Sequence, residues 1–158
     1  MLCNNTMELL MTTMMNQRIR RYSELKKLDN IIDRFHYLQL GGTVCEDTFG
    51  FDRYMNQAFY ASKEWRDVRN EIIIRDNGCD LGIPGMEIRG HIFVHHMNPM
   101  SVDDIENSSD YLLNPEYLIC CSFDMHQAIH YGSEELLKKY LGINLPIERS
   151  PNDTCPWR

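Results

Sequence analysis

Val94-His95-His96-Met97, followed across a polar stretch by Met125-His126-Gln127-Ala128-Ile129-His130, is the part of this 158-residue chain that decides its fold and its chemistry. Five of the six histidines fall between His91 and His130. Histidine both binds divalent transition metals and moves protons near neutral pH, so the pattern predicts a metal-dependent hydrolytic site. His126 and His130 are four residues apart, which on a helix turns both toward one ion. That spacing alone also arises by chance, or from a single histidine hydrogen-bonded in a core. The doublet alone is equally weak; the order strand, loop, helix gives the two together their weight. In a regular strand His95 and His96 point to opposite faces, so both serve one site only where the strand frays or bulges. Asn98-Pro99, just beyond, favours such an ending. One histidine then binds metal while the other, neutral, deprotonates water; the alternative makes one of the two structural. His91 is expected at the surface or in a supporting position.

Composition narrows the class. At 43% hydrophobic and 25% charged residues, the chain is an ordinary globular protein long enough to bury a core. Its apolar stretches are short and interrupted, which predicts no membrane span. Met1 to Met15 is Met-rich but lacks a basic start and carries Glu8; an amphipathic helix or loose extension is expected there, not a signal peptide. The six cysteines contain no C-x-x-C pair, so reduced thiols in a cytoplasm are expected and any metal should rest on histidine and carboxylate. The net charge of -7 argues against coating nucleic acid by electrostatics alone. Residues 97 to 158 hold four basic and ten acidic side chains, whereas Arg18, Arg20, Arg21, Lys26 and Lys27 face only Glu24. That basic cluster is read either as a phosphate contact or as a solvated helix start. An acidic balance does not exclude a nuclease, because a bound cation supplies positive charge where a phosphate sits.

The spacing of Leu25, Leu28, Ile32, Phe35 and Leu38 predicts one helix capped by Ser23 and stopped at Gly41-Gly42. Phe49 to Tyr54 leads into a short helix through Tyr60. Ser62 caps a helix to about Arg75, and Asp76-Asn77-Gly78 is a turn signal. Cys79 to Ile83 and Ile88 to His96 are expected as two strands. Residues 97 to 115 read as a polar loop with at most one helical turn. Asn114-Pro115 reads as a cap and first-turn pair, Tyr117 to Cys121 as strand, and Asp124 as the cap of a helix ended by Gly132. The tail beyond is expected to be irregular.

Several segments together carry a family resemblance. Glu64-Trp65-Arg66-Asp67-Val68-Arg69, Ile74-Arg75-Asp76-Asn77-Gly78-Cys79, Ile92-Phe93-Val94-His95-His96-Met97-Asn98-Pro99 and Asn114-Pro115-Glu116-Tyr117-Leu118-Ile119, with the His126 to His130 segment, resemble an HNH endonuclease. More narrowly, they resemble the small HNH nucleases encoded by bacteriophages; Glu46 to Tyr54 and Asn152 to Arg158 also fit that group. The general similarity covers about residues 62 to 132.

The resemblance implies an α+β chain: a mainly helical N-terminal part (1–60), a ββα-metal nuclease core (61–135) and a C-terminal tail on that core (136–158). By position His95 is the first metal ligand, His96 the general base, His126 the helix ligand and His130 a further ligand. The implied activity is phosphodiester hydrolysis of DNA with one divalent ion (Mg, Mn, Ni or Zn), in phage genome processing or packaging, with packaging proteins as possible partners, in the host cytoplasm. Two departures stand out. The structural zinc knuckle of many such enzymes is absent: of its first pair only Cys79 remains, with Gly82 opposite, and Ser122 and Met125 replace the second. The family asparagine's usual place is Tyr117, while Asn114 stands three residues earlier, either tying the loop to the base-bearing strand or only capping a turn. The alternative function is a non-catalytic DNA-binding or packaging accessory protein keeping the same fold. The chain lacks H-E-x-x-H and deaminase motifs, which disfavours other metal hydrolases.

Overall fold

A computed structural model describes residues 18–40 and 53–142. The first helices among the described residues are α1 (Tyr22–Leu25) and α2 (Ile31–Leu38). The single helix expected here is broken, and Asn30 makes the break: its carboxamide oxygen accepts from the Ile32 and Asp33 amides and starts a new helix. Ser23 lies inside α1 and donates to Glu116 instead of capping. Gly41-Gly42 lies outside the described residues. Helix α3 (Arg53–Ala61) precedes α4 (Lys63–Arg75), which Ser62 caps through the Trp65 amide as its sequence predicts. The turn after α4 is also as expected, with Asn77 and Gly78 at φ of 54° and 65°.

Strand β1 (Phe93–His96) pairs antiparallel with β2 (Leu118–Cys121), placing His95 opposite Ile119 and His96 opposite Leu118. Between them lie α5 (Val102–Glu106) and α6 (Asp110–Leu113), two short helices where one turn was expected, and a 3-10 turn at Pro115–Tyr117 capped by Asn114. Helix α7 (Phe123–Tyr131) follows β2 directly. Its cap is Ser122, whose hydroxyl accepts from the Met125 amide, and not Asp124. Gly132, at φ 61°, ends it. Helix α8 (Glu134–Tyr140) stands at the start of the expected irregular tail, started by the Ser133 side chain.

The sheet is a filling between helices. On one face Val94, Leu118 and Cys120 pack with Trp65 and Ile72 of α4; on the other, Phe93, Ile119 and Cys121 pack with Met125, Ala128 and Ile129 of α7 and with α1, α2 and α8. This is strand alternation sorting odd and even residues between two cores. The expected strand Cys79 to Ile83 does not form; the segment turns, with one isolated bridge between Cys79 and Glu87.

Together with the end of α4, this segment finishes the outer edge of β2. Arg75 donates to the Leu118 carbonyl, Asp76 accepts from the Cys120 amide, Leu81 donates its amide to the Cys120 carbonyl, and Asp80 accepts from the Ser122 amide. Unpaired backbone groups at an edge cost free energy if buried and invite other strands if exposed; here four contacts satisfy them. The outer edge of β1 has no such cover among the described residues. Gly82 packs on α7: a Cβ there would lie 2.4 Å from the Met125 side chain. Two of the four positions where a zinc knuckle would need cysteines, 82 and 125, thus meet in a close apolar contact, and beside it Ser122 bonds to Asp80. Cys79, Cys120 and Cys121 are free thiols. Among the described residues no helix is long and apolar enough to cross a membrane.

Candidate metal centre

Phe93 and His95, two residues apart on β1, point to the α7 face. On α7, Met125, Ala128 and Ile129 are buried in the core, which leaves His126 and His130 on the flank that looks back at β1. The result is a cluster of three imidazoles. His95 lies 5.2 Å from His126 and 5.0 Å from His130 between ring centroids, nearly perpendicular to both. The Nε2 atoms of His126 and His130 are 2.9 Å apart.

Three buried ring nitrogens, His95 Nε2, His126 Nδ1 and His130 Nδ1, have no hydrogen-bond partner. Each such orphan costs about 1–3 kcal/mol, so the folded chain carries a polar defect here. The three residues can hold a metal ion: one ring nitrogen from each lies within 4.8 Å of the others. Two nitrogens on a tetrahedral zinc stand roughly 3.4 Å apart, between the 2.9 Å of the closest pair and that upper limit. Burial keeps all three rings neutral, the form that binds metal. Desolvation, then repulsion from His130, His126, His96 and Arg20, holds His95 well below the ordinary imidazole range. Desolvation and then His130 lower His126 to about 4, and desolvation lowers His130.

Neither a family model, nor a curated protein, nor a solved structure matches the chain.

His96 is not part of the cluster. β1 stays regular to its end, so His96 faces α4, where its ring stacks on Trp65 at 5.1 Å and 17° and borders Phe59 and Tyr60. Its Nε2 lies 3.0 Å from the Leu112 carbonyl oxygen. A carbonyl only accepts, so Nε2 carries the proton and the lone pair sits on Nδ1. Desolvation lowers this imidazole to about 4, against the opposing effect of the Leu112 bond. Asn114 is removed from the cluster too; its side chain accepts from the Glu116 amide and donates to Asp110, both local contacts. Tyr117 is buried, with its ring 4.6 Å from that of Tyr111. His91 is exposed and meets the Phe93 ring edge-on.

The N-terminal basic cluster folds down onto the protein. Arg18 lies over the Tyr37 ring, Arg21 over Tyr117 and Lys26 over Tyr22. Arg20 is buried, donating to the Tyr37 and Gln39 carbonyls, and its backbone pairs reciprocally with the Asn98 side chain just past β1. Sequence reasoning missed three contributors: Phe93, whose ring stacks on His126 at 5.2 Å; Trp65, which backs His96; and the Leu112 carbonyl, which sets its tautomer. The two-residue step from Phe93 to His95 was the available signal for the first. For the other two nothing local in the sequence points to a partner.

Proposed function

We propose that the protein is a metal-dependent DNA endonuclease of the HNH type, with β1, β2 and α7 as a ββα-metal core. One observation carries the reading: a buried imidazole from a strand and two half-buried ones from the following helix converge within reach of a single ion, and a fourth, His96, sits next to the first with its tautomer fixed. His95, His126 and His130 would hold the ion. Nitrogen donors favour Zn, Ni or Mn over Mg, which prefers oxygen. When bound, the ion supplies positive charge that stabilises the charge developing on the phosphate.

The chain's own residues do the rest. A phosphodiester lying across the outer edge of β1 would be reached from both faces of the strand, by the cluster on one side and His96 on the other. His96 Nδ1 takes the proton of the attacking water, while the Leu112 carbonyl keeps Nε2–H in place and stabilises the imidazolium. The water oxygen bonds to phosphorus as the bond to the 3′ oxygen breaks, leaving a 5′-phosphate and, after proton uptake, a 3′-hydroxyl. Low basicity limits His96 in the free protein, and an approaching phosphate anion raises it. Asn114 serves by holding the turn that carries β2. Phage genome processing or packaging is the setting the resemblance suggests.

A second reading has its own support: the Trp65 stack and the Leu112 bond satisfy His96 as a structural residue, which suits a non-catalytic DNA-binding accessory module. Supercoiled plasmid incubated with Mg²⁺, Mn²⁺, Ni²⁺ or Zn²⁺, with chelator controls, separates the two. The nuclease nicks or cuts with metal, and His96→Ala loses on the order of 100-fold or more in rate while still binding the ion. A variant cutting as fast as the wild type removes His96 from catalysis, and no cutting with any ion favours the accessory module.

A further inference from the structure

Phe123 opens α7 and is 56% exposed, a large apolar ring left in water at the rim of the histidine cluster. It is not isolated. Its centroid lies 5.8 Å from Phe93, and Phe93 in turn stacks on His126 at 27° between planes. His91 closes the row, edge-on to Phe93 at 4.8 Å. A continuous line of rings therefore runs from solvent to the candidate metal ligands. At the far end of the same helix Tyr131, beside His130, is 69% exposed. Eight residue steps separate the two exposed rings, about 12 Å along the helix axis, with both histidines between them.

This arrangement fits one kind of ligand. A chain of net charge -7 gains little from general attraction to duplex DNA, and of its basic N-terminal residues Arg20 is buried on carbonyls while Arg18 and Arg21 lie over aromatic rings. Stacking on an aromatic side chain is charge-independent and is available to any unpaired base, whose face a duplex conceals. The ends of α7 are also much further apart than the roughly 3.4 Å between stacked bases, so bases resting on each would be unstacked from one another.

Resting on the nuclease reading above, we infer that the Phe93–Phe123 ring pair is a stacking platform for an unpaired nucleobase, which makes single-stranded DNA the preferred substrate. The test is fluorescence anisotropy with a fluorescein-labelled DNA strand, single or annealed to its complement, in chelator so that binding is read without cleavage. The wild type binds the single strand more tightly than the duplex. Phe123→Ala weakens single-strand binding by about tenfold or more and changes duplex binding by less than about twofold, whereas Phe123→Trp restores it. Thermal melts of both variants accompany the titrations. The inference is overturned if Phe123→Ala binds the single strand as well as the wild type, if it loses both forms equally, or if the wild type prefers duplex. Because this readout needs no turnover, its failure is distinct from that of the nuclease reading. A preserved strand preference with no cutting under any metal sinks only the nuclease, and metal-dependent cutting with no strand preference sinks only the platform.

Discussion

Asp80 and His95 are both almost fully buried, 1% and 4% exposed, and they lie on opposite sides of the same small sheet system, yet their polar atoms fare in opposite ways. Asp80 accepts from the Gly82 and Ser122 amides, and nearby Asp76 accepts from Cys120 and from the Arg75 guanidinium. His95 and its two companions keep three nitrogens with no partner at all. Buried polar groups in folded proteins are normally paired, so the carboxylates behave as structure and the imidazoles as an incomplete binding site. The contrast separates residues that hold the fold from residues that the fold holds ready.

The largest effect should come from the structural side. Asp76→Ala removes a wholly buried carboxylate from Arg75 and from the Cys120 amide, and should cost about 3 kcal/mol, read as a lower urea midpoint. A loss below about 1 kcal/mol would mean that the edge of β2 is held by something else. Acid should act next, and with opposite sign in the two regions. The lowered imidazoles of His95, His96, His126 and His130 mean that the unfolded chain, with ordinary histidines near 6.5, binds protons first. Stability of the metal-free protein should therefore fall as pH drops from about 6.5 toward about 4, the range set by His96 and His126. Asp80, raised chiefly by desolvation, stabilises the fold at acid pH and gives that up as pH rises through its own range. A flat stability profile across pH 6.5 to 4 would contradict the burial of the cluster. The smallest effect should be His130→Leu without metal, which removes one unpartnered ring nitrogen together with the Nε2 contact to His126, so that gain and loss offset and stability changes by less than about 1 kcal/mol. Added metal at about 100 times its Kd should stabilise the wild type by about 2.7 kcal/mol and this variant by nothing. Equal metal stabilisation of both would remove His130 from the site.

How much of this the residues announced depends on the range of the signal. The Ser62 cap, the Asn77-Gly78 turn, β2 and the span of α7 follow local rules of capping, turn chemistry and periodicity, and those rules held. So did the convergence of His126 and His130, set by helix spacing alone. The breaks came where a distant partner decides. Asn30 outcompetes continuous periodicity between α1 and α2, and Cys79 to Ile83 gives up strand geometry because Asp76, Asp80 and Leu81 answer β2 with side chains and one amide. His95 and His96 separate onto two faces because β1 remains regular to its end, which Asn98-Pro99 had suggested it would not. Pairing of β1 with β2, and the Arg20 to Asn98 tie beyond it, fix that outcome across some twenty and seventy-eight residues of chain.

The contact between Gly82 and Met125 reaches further than its own neighbourhood. Met125 belongs to the first turns of α7, so a side chain added at position 82 must first displace the Met125 side chain, and where that side chain cannot repack the strain passes to the helix that carries His126 and His130. A residue that touches no histidine is thereby coupled to the ligand set, and substitutions there offer a way to disturb it without altering a single donor atom.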